Sequence, residues 1–329
     1  MASRRCVAML LCLSVLLVPA CGPAGLTGPE SDPVTLHLKW LHQAQFAGFY
    51  MAKHAGFASD ERLELTIIPG GVDAPPIPAV LEGKAQFGVA GGGDLIQARA
   101  EGSPVVALAV ILQKSPVCFI TKSESGIRRP HDFVGHRVGV KTGTGTDIPY
   151  LVMLANVGVD RNDLEEIPVS ADLMPFYIGE VDVYPGYVIN EPDTIRRAGY
   201  DINVILASDY GVNMYADVLF TTEAMIRDRP DLVGRFVRAM MRGWNYAIEN
   251  REETVKVVME YAPDSDKAHQ EAMLATTARL VRPGYIKIGS MDRRTWKDMH
   301  DTLLRYGVIE SAIDVNALYT EQFLLEETP

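Results

Sequence analysis

The sequence predicts an α/β protein of two lobes with a helical C-terminal part, and three observations lead there. Apolar strands of period two alternate with helical stretches along most of the chain. A strand near 117–121 ends the first such series, and a second begins at Arg137. From Glu223 onward the pattern is helical only. At 329 residues, 47% hydrophobic and 22% charged, the chain suits two lobes better than one core. The formal net charge of −11 argues against nucleic acid or an anionic membrane surface as main partner, since both need a basic footprint.

The N-terminus reads as targeting. Arg4 and Arg5 precede an apolar run, 6–18, too short to span a bilayer, and Pro19-Ala20-Cys21 follows. This predicts a signal peptide over 1–20. Val18-Pro19-Ala20-Cys21 resembles a bacterial lipobox, so Cys21 is the expected lipidation site and 21–33 a lipid-anchored tether. Cys6 and Cys12 would leave with the signal. The remaining Cys118, in Val117-Cys118-Phe119-Ile120, reads as a small buried hydrophobe. No Cys or His cluster has metal-ligand spacing, so neither metal nor cofactor is expected.

The first strand runs through Leu36, Leu38 and Trp40, then turns into a helix over 45–55 ended by Gly56. A strand feeding a helix puts Trp40, Gln43, Gln45, Phe46 and Tyr50 at the carboxyl edge of a sheet, where open α/β folds bind small ligands. A strand follows at 63–68, a helix at 76–82 and a third strand at 86–90. Gly91-Gly92-Gly93-Asp94 then opens a helix to 101, with Asp94 as cap or ligand contact, before the strand 105–112.

In the second series, 137–140 is a strand. Lys141-Thr142-Gly143-Thr144-Gly145-Thr146-Asp147 is a Gly/Thr loop before a helix over 149–157. The loop lacks the G-x-x-x-x-G-K-[ST] pattern, and holding a small polar group is the better reading. Strands at 164–169 and 181–184 flank a short helix at 173–178. The second leads to Gly186-Tyr187-Val188-Ile189-Asn190-Glu191-Pro192, a turn bearing an aromatic, an amide and a carboxylate. The strand 202–206 closes this lobe and 218–220 returns to the first. The expected boundaries are therefore lobe one at 34–121 plus 218–329, and lobe two at 122–217. Among the helices after Glu223, 230–250 has the clearest apolar face, with Trp244 and the methionines as packing groups. Further helices are expected near 252–261, 265–277, 293–306 and 317–325.

Five segments carry a resemblance to bacterial ABC-transporter substrate-binding proteins of the family that includes thiamine pyrimidine synthases, aliphatic sulfonate binders and riboflavin binders. They are Trp40 with Gln45-Phe46-Ala47-Gly48-Phe49-Tyr50-Met51-Ala52, Gly83-Lys84-Ala85-Gln86-Phe87-Gly88-Val89, 132–140, 186–192 and 230–237. The resemblance implies a periplasmic-binding-protein-like fold of type II. Two crossing strands would join its lobes, and the helical C-terminal part would pack on lobe one. It also implies hinge closure on a small molecule, an ABC permease with its ATPase as partners, a monomer and an extracytoplasmic location, and the replacement of the synthases' catalytic groups predicts no catalysis. The synthases use a lysine and a histidine where this chain has Ala90 and Asp94, and a cysteine cluster near 215–220 where it has none.

As a binder, Trp40, Phe46 and Tyr50 would sandwich a planar ring against Tyr187. Asn190, Glu191, Gln45 and Asp94 would bond its polar edge, the backbone at Gly92 would approach it, and Thr142, Thr144 and Thr146 would meet a polar tail. This inventory favours a heteroaromatic such as a thiamine pyrimidine precursor or a flavin. A sulfonate or nitrate binder, a synthase-like enzyme and a receptor-feeding sensor are the alternatives.

Overall fold

A computed structural model describes residues 31–324. The expected signal peptide and Cys21 lie outside the described residues. The strands are β1 (Asp32–His37), β2 (Leu63–Ile68), β3 (Phe87–Ala90), β4 (Val105–Leu112), β5 (Val117–Lys122), β6 (Arg137–Val140), β7 (Glu165–Pro168), β8 (Val183–Tyr187), β9 (Ile202–Leu206) and β10 (Ala216–Thr222). The helices of the α/β part are α1 (Ala47–His54), α2 (Phe57–Asp60), α3 (Pro76–Leu81), α4 (Gly92–Ala100), α5 (Asp147–Val157), α6 (Met174–Tyr177) and α7 (Glu191–Arg197). The helical part comprises α8 (Glu223–Asp228), α9 (Pro230–Glu249), α10 (Arg251–Tyr261), α11 (Lys267–Val281), α12 (Arg293–Arg305) and α13 (Val315–Leu318).

The strands form two five-stranded sheets, ordered β2-β1-β3-β10-β4 and β7-β6-β8-β5-β9. In the first, β1 is parallel to β2 and β3, and β10 is antiparallel to its neighbours. In the second, β6 is parallel to β7 and β8, and β5 is antiparallel to its neighbours. The odd strand in each sheet is the one whose chain has just arrived from the other lobe. It enters from the shared side and so runs against its neighbours.

Three boundaries differ from expectation. β5 belongs to the second sheet, so the first passage lies at 113–116, before β5 rather than after residue 121. β1 begins at Asp32, inside the range given to the tether, and ends at His37. Lys39 and Trp40 leave the ladder where the chain bends over the end of β2, with Leu38 N–H donating to Ile68 O and Gly70 N–H to Trp40 O. The helix expected at 317–325 is only the single turn α13, because Tyr319 is extended and pairs with Ala107. Every residue of β4 is buried, although β4 ends its sheet. Bridges from Tyr319 and Gly289 cover that edge.

Helix α9 is the main packing element of lobe one. Its apolar face carries Phe236, stacked 3.6 Å from Phe87, and Trp244, edge-on to Phe49 at 5.5 Å. Two glycines let α9 approach α1 backbone to backbone. A Cβ on Gly243 would lie 2.2 Å from Gly48 O, and one on Gly48 would lie 2.1 Å from the Trp244 ring. Cys118 is fully buried in β5, and burial pushes its thiol well above the usual range.

Gly243→Ala should lower stability by about 1–3 kcal/mol, since its methyl meets a backbone carbonyl that has no rotamer to yield with. A thermal melt checks this. An unchanged melting temperature would show that α1 and α9 can separate without cost.

Candidate functional site

The sheets face one another across a cavity of about 370 Å³, within the range of small-molecule sites. Its lobe-one wall is built by the bend after β1, the segment Val72 to Pro78 and α4. Its lobe-two wall is built by the loop before α5 and the turn from β8 into α7. Trp40, Gln43, Gln45 and Asp94 line the first wall, and Thr144, Thr146, Tyr187, Asn190 and Glu191 the second.

A polar chain runs along the lobe-one side and then crosses. Gln43 Nε2 donates to Gln45 Oε1 at 2.6 Å, and Gln45 Nε2 donates to Asp217 Oδ2 at 2.7 Å. Asp217 Oδ1 pairs with Lys39 Nζ at 2.7 Å, and Lys39 Nζ donates to the Tyr187 hydroxyl at 2.9 Å. The last contact joins the lobes. Gly145 makes it possible, because a Cβ there would lie 2.2 Å from that hydroxyl. Burial opposes the charge on Lys39, but the Asp217 carboxylate beside it and Tyr187 together hold the ammonium above its ordinary value. Burial also pushes the Tyr187 hydroxyl up, against the pull of Lys39. Asp217 has a left-handed φ of +51° inside a strand, a conformation that Asp tolerates better than most residues.

A second ion pair lies in lobe two. Lys141 Nζ meets Glu191 Oε1 at 3.1 Å and sits 4.5 Å from the centre of the Tyr184 ring. Glu191 Oε2 accepts from the Tyr187 N–H at 2.8 Å. Gly186 leaves the room for this carboxylate, since a Cβ there would lie 2.8 Å from Glu191 Cδ. Both oxygens of Glu191 are therefore already accepting, and the residue shapes the turn as well as facing the cavity. The loop threonines are bonded among themselves: Thr144 Oγ1 donates to Lys141 O at 2.7 Å and lies 3.0 Å from Thr146 Oγ1. Asp94 Oδ2 accepts from the Gly91 N–H at 3.0 Å. Burial raises the Asp94 carboxyl, with Lys39 and the Gly91 N–H pulling the other way.

Four of the expected residues do not line the cavity. Phe46, in the short turn before α1, and Tyr50, in α1, are fully buried in the lobe-one core. Tyr50 stacks on Tyr261 at 4.2 Å. Gly92 faces α12, where a Cβ would lie 2.7 Å from Met299, and its N–H already donates to Tyr215 O. Thr142 is exposed outside the cavity. Conversely, the sequence reading passed over Lys39, Lys141 and Asp217. Lys39 stands between the strand and Trp40, and Asp217 interrupts an apolar strand. An acid in such a strand was the available signal.

Asp217→Asn should cost about 3–5 kcal/mol, because it leaves the Lys39 ammonium buried without its counter-charge. Lys39 is held above its unfolded value, so its contribution is complete below about pH 10 and is lost only as pH rises through the folded value. In the variant burial acts on Lys39 without its counter-charge and draws the folded value down, so melts from about pH 6 to about pH 9 should show the full loss in acid and a smaller one where the variant's lysine sheds its proton. A loss confined to the alkaline side would contradict the pairing. Asp94 has the opposite sign. A carboxyl raised in the folded state costs stability above its folded pKa and nothing below its unfolded one, so Asp94→Asn should raise the melting temperature at neutral pH and leave it unchanged in acid. An equal shift at both pH values would overturn that assignment.

Known proteins resemble this chain in sequence or in fold. The riboflavin-binding protein RibY of Chloroflexus aurantiacus is 25% identical over 329 residues, covering 93% of this chain and 91% of the relative. A formylaminopyrimidine-binding protein of Halalkalibacterium halodurans is 24% identical, covering 92% and 96%. A 4-amino-5-hydroxymethyl-2-methylpyrimidine phosphate synthase of Legionella pneumophila is 24% identical, covering 90% and 93%. Among solved structures, the alkanesulfonate-binding protein SsuA from Xanthomonas axonopodis pv. citri, bound to MOPS, superposes with a TM-score of 0.72 at 15% identity. That superposition covers 89% of this chain and all of the other, and it shows a shared fold. The profile of the NMT1/THI5-like family matches residues 43–254, more than half of the sequence, and the chain belongs to that family.

Proposed function

We propose that the chain is the extracytoplasmic solute-binding component of an ABC importer. It closes on a small heteroaromatic ligand, a thiamine pyrimidine precursor or a flavin-like molecule, and delivers it to a membrane permease. The observation that carries this reading is the cavity between the lobes, with Trp40 on one wall and Tyr187 on the other. Two aromatic residues on opposite lobes suit a flat ring that both lobes grip. The relatives named for riboflavin and formylaminopyrimidine binding support the same ligand class. The lipobox-like Val18-Pro19-Ala20-Cys21 supports a lipid anchor outside the cytoplasm.

The charge pattern favours this class over a sulfonate. Among the described residues no arginine lines the cavity, and the two lysines that do are each paired with a carboxylate. Asp94, Glu101 and Asp147 add further acids to the wall. An anionic head would meet repulsion there, whereas an amino-substituted ring would find acceptors.

A synthase role is disfavoured on the same chemistry. A lysine must be a free amine to attack the carbonyl of pyridoxal phosphate. Lys39 is held as ammonium by Asp217, and Lys141 is paired with Glu191. Ala90 lines the wall where the resemblance places the synthases' lysine.

Thermal melting and tryptophan fluorescence of the full chain against riboflavin, formylaminopyrimidine, taurine and pyridoxal phosphate test the reading. Riboflavin or formylaminopyrimidine should raise the melting temperature, and Trp40→Ala should weaken that binding at least tenfold or so. A response to taurine alone would replace the ligand class. Schiff-base absorbance with pyridoxal phosphate at neutral pH would sink the non-enzymatic reading.

A further inference from the structure

Helix α11 touches both lobes through two consecutive side chains. Gln270 is buried, and its Oε1 accepts from the Ala44 N–H at 2.7 Å, pinning the helix to the lobe-one turn that carries Gln43 and Gln45. His269 points to lobe two. Its Nδ1 lies 2.7 Å from Asp193 Oδ2, and its Nε2 lies 2.9 Å from Asn190 Oδ1. Asn190 caps α7 and lines the ligand cavity. Both ring nitrogens thus face acceptors. Only the imidazolium can donate to both, since the neutral ring has one N–H.

We propose that His269 is a positioning residue that latches α11 of lobe one to α7 of lobe two, and that its charge decides which face of the Asn190 amide the cavity presents. With the ring charged, Asn190 gives its carbonyl to His269 and keeps its NH₂ group for the cavity. With the ring neutral and Nδ1–H donating to Asp193, Nε2 becomes an acceptor. The Asn190 carbonyl is then repelled, and the amide either turns over, offering its oxygen to the cavity, or lets go. Loss of the proton therefore removes the charge from the latch, and it either exchanges a donor for an acceptor at the ligand or frees the amide.

The charged groups around His269 are few. From α7 come Asp193 and Arg197, whose Nε donates to the same Asp193 Oδ2 at 2.5 Å. From the start of α11 comes Asp266, whose Oδ1 accepts from the His269 N–H and lies 3.8 Å from Arg197 Nη1. Lys267 and Glu271 pair with each other at 3.7 Å on the same helix. Burial opposes the Asp193 charge, but hydrogen bonds from His269 and Arg197 hold its carboxyl below the usual range. The Asp193 carboxylate is thereby held ionised, so a change of protonation at this contact falls on the ring. Asp32, Glu61 and the other carboxylates paired with arginines on α9 lie in separate clusters.

The presentation of Asn190 to a ligand rests on the proposed function, but the latch does not, so the first two measurements use the full chain without ligand. Long-range ¹H–¹⁵N correlation spectra identify the His269 ring by its loss in His269→Gln. In acid both nitrogens should carry protons, and in alkaline solution one should be bare. Acrylamide quenching then reports the cleft through Trp40, because Trp244 and Trp296 are fully buried. Quenching should rise with pH in the parent chain, corresponding to a shift in lobe closure of roughly three- to tenfold. It should be high and flat in His269→Gln, and unchanged in its pH profile in His42→Gln. A parent-like pH profile in His269→Gln, or a ring that keeps a single proton in acid, overturns the proposal. In a third measurement, the affinity for formylaminopyrimidine should vary with pH in the parent chain and not in His269→Gln. If the first two results hold and nothing binds, the ligand reading fails and the latch stands. Equal pH dependence of binding in both chains overturns the role given to Asn190.

Discussion

The Lys39 ammonium is held between the Asp217 carboxylate of its own lobe and the Tyr187 hydroxyl of the other, and the cleft depends on that arrangement. Removing two charges from water costs several kcal/mol each, on the order of what the pair recovers only with good geometry and full hydrogen bonding. Here Gln45 satisfies the second oxygen of Asp217, Gln43 satisfies Gln45, and Tyr187 takes a further donor of the lysine. The chain of contacts fixes the floor of the cavity on one side and couples it to lobe closure on the other. Glycine at 145 and a left-handed Asp217 are the backbone conditions for it.

The topology explains why such contacts can form across lobes. Each sheet contains one strand delivered from the other lobe, so the connections enter both sheets on the same side. Strand ends bearing Lys39, Asp94, Lys141 and Tyr187 consequently face a common space. The helical C-terminal part contributes as well. Helix α9 provides rigidity through its glycine-mediated approach to α1, while α11 reaches past lobe one to α7. A cleft whose walls are held this firmly can spend ligand contacts on selection rather than on ordering side chains.

Much of the cleft was legible because its chemistry follows strand ends. Trp40, Asp94, Thr146, Tyr187, Asn190 and Glu191 each stand at or just after the end of a strand or at the start of a helix, and all line the cavity. Phe46 and Tyr50 share that neighbourhood, yet both are buried in the core, and a pattern of apolar residues at four-residue spacing does not say which side of a helix meets ligand. Lys39 and Lys141 were passed over because a lone lysine reads as solvated surface until its counter-charge is known. Their partners lie 178 and 50 positions away in sequence.

The sequence by itself determined the two-lobed α/β class, the order of strands and helices, the packing face of α9 and the turns that reach the cleft. These follow from periodicity, glycine and proline placement and charge, which are local properties. Only the tertiary structure decided which charges are paired, which aromatic residues face the cavity and where the chain passes between sheets. Pairing and pairing register depend on residues distant in sequence, and Asp217 with Lys39, His269 with Asn190, and Tyr319 with Ala107 meet only once the fold has closed.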